Sequence, residues 1–170
     1  FCDIFSGTGS VSRFFKPYYK IISNDIMYFS YMLTAATIEN NNVPTFEKLR
    51  QNGINDPFSY LEENITDETT IGFVEKAYSP NGEAGRMYFT PENAHKIDSI
   101  RMTIETWRNN GWLSASEYKY LIAALIEAVP FVSNITGTYG AYLKSWDKRS
   151  FKPLELVKLS VSDNEHRNIC

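Results

Sequence analysis

Two short stretches hold the residues best suited to chemistry, Asp3-Ile4-Phe5-Ser6-Gly7-Thr8-Gly9 and Ser23-Asn24-Asp25-Ile26. In the first, Gly7 and Gly9 let the backbone pass close to a ligand and adopt turns that a Cβ would obstruct. A helix that opens just after such a turn offers free N–H groups at its start. In the second, Asp25 follows a β-branched run, where its carboxylate can accept two hydrogen bonds from the hydroxyls of a ribose. Each feature alone has an ordinary explanation. A glycine turn can be a tight strand-to-helix connection, and an Asp after a strand is a common helix N-cap. Together, in this order and at this spacing, they favour an adenosine-containing ligand. No Gly-Lys-Ser/Thr follows either glycine, which excludes a P-loop. The dinucleotide pattern G-x-G-x-x-G fails at Ser12, so a ligand lacking pyrophosphate is preferred.

A second set lies between residues 139 and 153. Lys144, Lys148, Arg149 and Lys152 face a single anion, Asp147, and are interleaved with Tyr139, Tyr142, Trp146 and Phe151. Cations with aromatic neighbours suit phosphate contact and base stacking. The alternative is an amphipathic surface segment whose aromatics serve the core. Arg86 and Asn134 are of the types that read base edges, guanidinium pairing with guanine and amide with adenine, although both types more often bond within the fold. His95 and His166 stand apart in the sequence, which suits solvated or capping roles. The cysteines, Cys2 and Cys170, sit at the two ends without CxxC or Cys/His spacing. Neither a disulfide framework nor a metal site is expected, and a reducing cytoplasm is the expected location.

The elements that must position these residues follow from periodicity and punctuation. The chain of 170 residues is 43% hydrophobic and 15% aromatic, which excludes disorder. No apolar run approaches the roughly 20 residues of a membrane span. The net charge of -3 argues against indiscriminate coating of nucleic acid but leaves room for a local basic patch. Residues 2–5 and 20–24 read as strands, and residues 11–16 and 26–38 as helices. That alternation predicts parallel strands joined by crossovers. From residue 39 onward the Asn40-Asn41-Asn42 run and Pro44 mark a boundary, and helices dominate. Short helices are expected over 45–52 and 57–64. A longer one opens at Thr90-Pro91 and runs to about residue 109. Ser114-Ala115-Ser116-Glu117 is a capping box for the next, whose stripe Tyr118, Leu121, Ile122, Leu125 and Val129 should face the core and which Pro130 should end.

The stretch Asp3-Ile4-Phe5-Ser6-Gly7-Thr8-Gly9-Ser10-Val11 resembles the F-x-G-x-G motif of S-adenosylmethionine-dependent DNA adenine-N6 methyltransferases of the alpha class. Ser23-Asn24-Asp25-Ile26 resembles the family's second motif. Arg86-Met87-Tyr88-Phe89, Asn93-Ala94, Ile97-Asp98-Ser99-Ile100-Arg101 and the run from Ser133-Asn134 through Gly137-Thr138-Tyr139-Gly140-Ala141-Tyr142-Leu143-Lys144 are similar to a subgroup of it. The resemblance implies an α/β fold in which a partial Rossmann-like sheet carries a mainly helical target-recognition insert. Residues 1–43 would bind S-adenosyl-L-methionine through Asp3, Phe5, Ser6, Gly7, Thr8, Gly9, Asp25 and Ile26, with Ile26 against the adenine. Residues 44–152 would recognise the target, with Arg86, Asn134, Tyr139, Lys144, Lys148 and Arg149 on the DNA. Residues 153–170 would return toward the catalytic domain. The family's D-P-P-Y motif is missing, since no two prolines are adjacent, so no catalytic residue is expected and the chain reads as an inactive fragment. The implied partners are double-stranded DNA and a cognate restriction endonuclease. Two other readings stay open: an RNA or protein methyltransferase with the same cofactor fold, and a DNA-binding module without activity.

Overall fold

Strand β1, Cys2–Asp3, is followed by helix α1, Ser10–Phe15, and strand β2, Ile22–Ser23. The strand–helix–strand order expected of the first residues is present in this computed structural model, which describes residues 1–65, 71–137 and 141–170. The two strands pair in parallel, Cys2 with Ile22 and Asp3 with Ser23. They are shorter than the hydrophobic pattern predicts. Ile4 and Phe5 turn out to solvent, and beyond Ser23 the backbone leaves the ladder, the Asn24 carbonyl accepting from the Ser6 N–H at 3.0 Å. A late segment of the chain extends the pair: Ile169 forms a parallel bridge to Ile22 on its other edge, with Ser23 N–H donating to the Ile169 carbonyl at 2.9 Å.

These strands belong to the first of two compact units, Phe1–Asn55, Trp107–Ile126 and Lys158–Cys170. Helix α2, Tyr28–Thr34, widens into a π-helical turn, Ala35–Glu39, instead of running on as one α-helix. The hydroxyls of Thr34 and Thr37 bond back to the Ser30 and Leu33 carbonyls at 2.9 and 2.8 Å, an arrangement that bends helices. The buried Lys16 ammonium closes the turn by donating to the carbonyls of Thr37 and Asn40, and burial pushes its pKa down to about 8. Helix α3, Glu47–Gln51, follows. Ile21, Met32, Ile38, Leu49 and Tyr120 are among the fully buried side chains.

The second unit comprises Asp56–Thr106 and Glu127–Val157. Helix α4, Pro57–Glu63, falls where a short helix is expected; Asp56 caps it, accepting from the Phe58 N–H at 2.9 Å, with a proline in the first turn. Helix α5, Phe73–Tyr78, has no local signal. Its first N–H groups, from Val74 and Glu75, donate to the buried carboxylate of Asp98 at 3.0 and 2.8 Å. Helix α6, Pro91–Asn109, opens on the Thr90 cap, with Asn93 N–H 3.3 Å from the Thr90 hydroxyl. Helix α7, Ala115–Val132, whose residues as far as Ile126 are counted in the first unit, opens on the expected capping box, Ser114 N–H donating to Glu117 at 2.8 Å and Glu117 N–H to the Ser114 hydroxyl at 3.3 Å.

Two expectations for α7 need correcting. Pro130 lies inside the helix, which ends at Val132; a proline in the final turn leaves the last residues able to complete it. The buried face is also broader than the predicted stripe. Leu121 and Leu125 are buried, but so are Tyr120, Ala123, Ala124 and Ala128, while Tyr118, Ile122 and Val129 are only half-buried. The small alanine side chains allow close approach of whatever packs against them. A 3-10 turn, Lys148–Phe151, capped by Asp147, follows. Among the described residues no helix is long and apolar enough to cross a membrane.

Tyr120 connects helix α7 to the returning segment: its buried hydroxyl donates to the Leu159 carbonyl at 2.7 Å. Tyr120→Phe removes that donor and leaves the carbonyl unpaired in the interior. Urea unfolding should register a loss of about 1–2 kcal/mol; an unchanged midpoint and slope would show that the bond adds nothing to stability.

Candidate functional site

The parallel pair delivers two loops to one edge of the sheet, and side chains then bind the loops together. Beyond β1, the Ser6 N–H and hydroxyl both point at the Asn24 carbonyl, at 3.0 and 3.2 Å. Gly7 and Gly9 adopt φ of +52° and +76°, the left-handed region that disfavours any residue with a Cβ. At Gly9 a Cβ would also meet Thr34 Cγ2 at 2.9 Å, whereas at Gly7 it would meet nothing within 4 Å. The turn is therefore packed from behind at Gly9 and open at Gly7.

Asp25 bridges the loops. Its Oδ2 accepts from the Gly7 N–H at 2.8 Å and its Oδ1 from the Met27 N–H at 2.9 Å. The Met27 and Gly7 N–H groups hold its carboxyl below the usual aspartate value. The Ser30 side chain and the Ile26 N–H lower it further, and the carboxylate remains half-buried, not enclosed. Beside it opens a cleft of about 320 Å³ lined by Asp25, Ile26, Tyr28, Tyr31, Thr34 and Cys170, among others. Ile26 is 97% exposed and Phe5 84% exposed. Burial pushes the Cys170 thiol up to about 11, so at neutral pH it is no nucleophile.

Asp3 and Ser6 form the frame of the turn. The Ser12 hydroxyl donates to Asp3 Oδ2 at 2.8 Å, and its oxygen lies 2.8 Å from the Ser23 hydroxyl. A hydroxyl has one hydrogen, so Ser23 is the donor of the second bond. Ser12, fully buried, thus ties β1, α1 and β2 together at the position where a dinucleotide fold carries glycine. Thr8 is exposed, with its hydroxyl 3.0 Å from that of Ser10.

In the second unit Lys144, Lys148, Arg149 and Lys152 are all exposed. Arg149 Nη2 donates to the Ile135 carbonyl at 2.8 Å, and its Nε stands 3.9 Å from Asp147. Arg86 is exposed and donates to the Ala77 carbonyl at 3.1 Å. Tyr139 lies outside the described residues. Asn134, expected at a base edge, has a different task. It is fully buried, its amide N–H groups donate to the Met87 and Leu143 carbonyls at 3.0 Å each, and its oxygen accepts from the Asp147 N–H at 3.0 Å. No edge of that amide is left for a base. Asn93 does the same in the first turn of α6, donating to the Ser150 and Lys152 carbonyls and accepting from the Leu154 N–H. The two asparagines hold the backbone from which the cations project. His95, read as isolated, has its Nδ1 3.3 Å from the buried Glu75. Asn93 and Asp98 carry no such role in the sequence reading, and only the Thr90-Pro91 cap upstream signals that the start of α6 is structurally special.

The electrostatics of Asp25 are testable. A carboxyl whose folded pKa is depressed contributes stability above its unfolded value and loses it as pH falls through the folded one. The Gly7 and Met27 amide resonances should therefore titrate together with a midpoint below the ordinary 3.8. A midpoint at or above that value, or amides that move independently, would refute the bridge.

Residues 1–170 match the family profile described as D12 class N6 adenine-specific DNA methyltransferase. Modification methylase StsI of Streptococcus sanguinis is 51% identical over 168 residues, 99% of this chain and 25% of its own length. Type II methyltransferase M.FokI of Planomicrobium okeanokoites is 49% identical over 168 residues, 99% of this chain and 26% of its own length. Modification methylase LlaI of Lactococcus lactis subsp. lactis is 41% identical over 164 residues, 96% of this chain and 26% of its own. The chain spans about a quarter of the length of these curated relatives. No solved structure matches it. Along its whole length, the chain belongs to the D12 class N6 adenine-specific DNA methyltransferase family.

Proposed function

We propose that this chain forms the S-adenosyl-L-methionine-binding turn and the target-recognition region of a site-specific adenine-N6 methyltransferase acting on double-stranded DNA. The observation that carries the reading is the joining of the Gly7 turn to Asp25 at 2.8 Å across two parallel strands. Bridge and strands together put an open glycine backbone and a half-buried carboxylate at one sheet edge, where α/β folds bind nucleosides. The pairing of Ile169 with Ile22 supports a Rossmann-like sheet, to which residues 153–170 return after the insert. The relatives' names, modification methylase and Type II methyltransferase, support a role in DNA modification; on this reading the chain works beside a cognate restriction endonuclease in the cytoplasm.

The residues fit the cofactor. Asp25 would hold the ribose hydroxyls, Ile26 and Phe5 offer apolar surface for the adenine, and the space above Gly7 admits close approach of the ligand. S-adenosyl-L-methionine supplies an electrophilic methyl group on its sulfonium. The chain's own share is to bind and orient. Positioning of this kind accounts for much of the acceleration in group transfer. The family assigns the orienting of the adenine amino group to a D-P-P-Y motif, which these 170 residues do not contain. In the second unit Lys144, Lys148, Arg149 and Lys152 would neutralise phosphates, which fixes register on the duplex with little sequence information. Arg86 stays a candidate for base readout, whereas the buried Asn134 does not.

Two measurements on the full-length protein test the reading. Asp25→Ala should weaken S-adenosyl-L-methionine binding roughly ten- to hundredfold by calorimetry, the worth of charge-assisted hydrogen bonds; equal affinity would remove Asp25 from the cofactor site. Replacing both Lys148 and Arg149 with Ala should weaken cognate and non-cognate duplexes by similar factors. The slope of log affinity against log salt should become shallower by about one for each phosphate that is no longer neutralised. Cofactor affinity should not change, and weakening confined to the cognate duplex would move these residues to base readout.

A further inference from the structure

A cleft of about 750 Å³ opens in the second unit beside the last turn of α7 and the segment that follows the 3-10 turn. Its volume lies in the range that encloses one small ligand. The floor includes Pro130, Phe131 and Leu156, and the polar lining is Arg149, Lys152 and Glu155. Phe131 is 67% exposed, so an aromatic face of full size is presented to solvent next to two cations. Both cations spring from a fixed backbone. The Arg149 N–H donates to Asp147 Oδ1 at 2.9 Å and its guanidinium to the Ile135 carbonyl, and the Lys152 carbonyl accepts from the Asn93 amide at 2.9 Å.

An aromatic face with adjacent cations suits a nucleotide, the ring stacking on the base and the cations meeting its phosphate. Glu155 narrows the choice. An anion in this place weakens the hold on phosphate alone, but a carboxylate accepts a hydrogen bond from the exocyclic amino group of a base. Bases in an intact duplex are stacked and cannot enter a concave site, so the base must come from unpaired strand.

We propose that this cleft binds one unstacked nucleotide of a DNA strand, with a base that carries an exocyclic amino group. Phe131 lies under the base, Glu155 accepts from its amino group, and Arg149 and Lys152 take the phosphate. The assignment rests on the reading of the second unit as DNA-binding.

The test uses the full-length protein, fluorescently labelled oligo-dC, oligo-dT and a mixed-sequence duplex, with affinity read by anisotropy at low salt. Oligo-dC should bind several-fold more tightly than oligo-dT, which lacks the amino group. Phe131→Ala should weaken oligo-dC at least about fivefold, the lower end for one stacked base, while Phe131→Trp keeps the affinity. Glu155→Ala should erase the preference for oligo-dC over oligo-dT and leave the duplex unaffected. Unchanged oligo-dC affinity in Phe131→Ala, or equal binding of the two homopolymers by the unaltered protein, overturns the cleft assignment. If the unaltered protein fails to bind even the duplex, it is the DNA-binding reading of the unit that falls.

Discussion

The Asp25 carboxylate is the tie on which the ligand-facing edge of the first unit depends. Two-residue strands cannot hold a sheet edge by their ladder alone, and β1 and β2 are no longer than that. Beyond them the backbone has N–H groups that need partners. Asp25 supplies two from one side chain, and behind it the Ser23–Ser12–Asp3 chain of hydroxyls and carboxylate fastens α1 to both strands. The turn is thus held open by side chains that point into it, which explains how its glycines can stay available while the surrounding backbone is fixed.

The second unit solves a similar problem with amides. Between Asn134 and Leu154 the only ladder pairing among the described residues is the Ile135–Tyr142 bridge. Irregular backbone of this kind leaves both donors and acceptors to be satisfied, and an asparagine amide can serve both at once. Asn134 and Asn93 each engage three backbone groups. The exposed lysines and arginine need not pack to hold the segment in place, because the buried amides have already set the path of the chain beneath them.

Much of this was legible in the sequence. The glycine turn, the carboxylate after the next strand, the Thr90 cap and the Ser114–Glu117 box are local patterns with local causes, and the structure contains each of them. What could not be read depended on partners far along the chain. The start of α5 depends on Asp98, more than twenty residues later. The role of Asn134 depends on carbonyls and an N–H in three other places, and as an isolated amide it has the look of a reader of bases. The buried face of α7 is broader than its pattern because alanine carries almost no hydrophobic signal, although it permits the tightest packing.

The bridge between Ile22 and Ile169 has a consequence for how the chain acquires its structure during synthesis. The N–H of Ile21 bonds the Asn168 side chain across a separation of 147 residues. Closing so long a loop adds little to the equilibrium cost, since the entropy grows only with the logarithm of length. Its kinetic effect is larger. At ribosomal rates of about 5–20 residues per second, β1 and β2 wait roughly 7–30 s for the segment that completes their edge. During that interval the backbone groups of Ile21 and Ser23 that Asn168 and Ile169 later take up are unpaired, so the nascent chain passes through a stage in which this strand edge is an aggregation hazard.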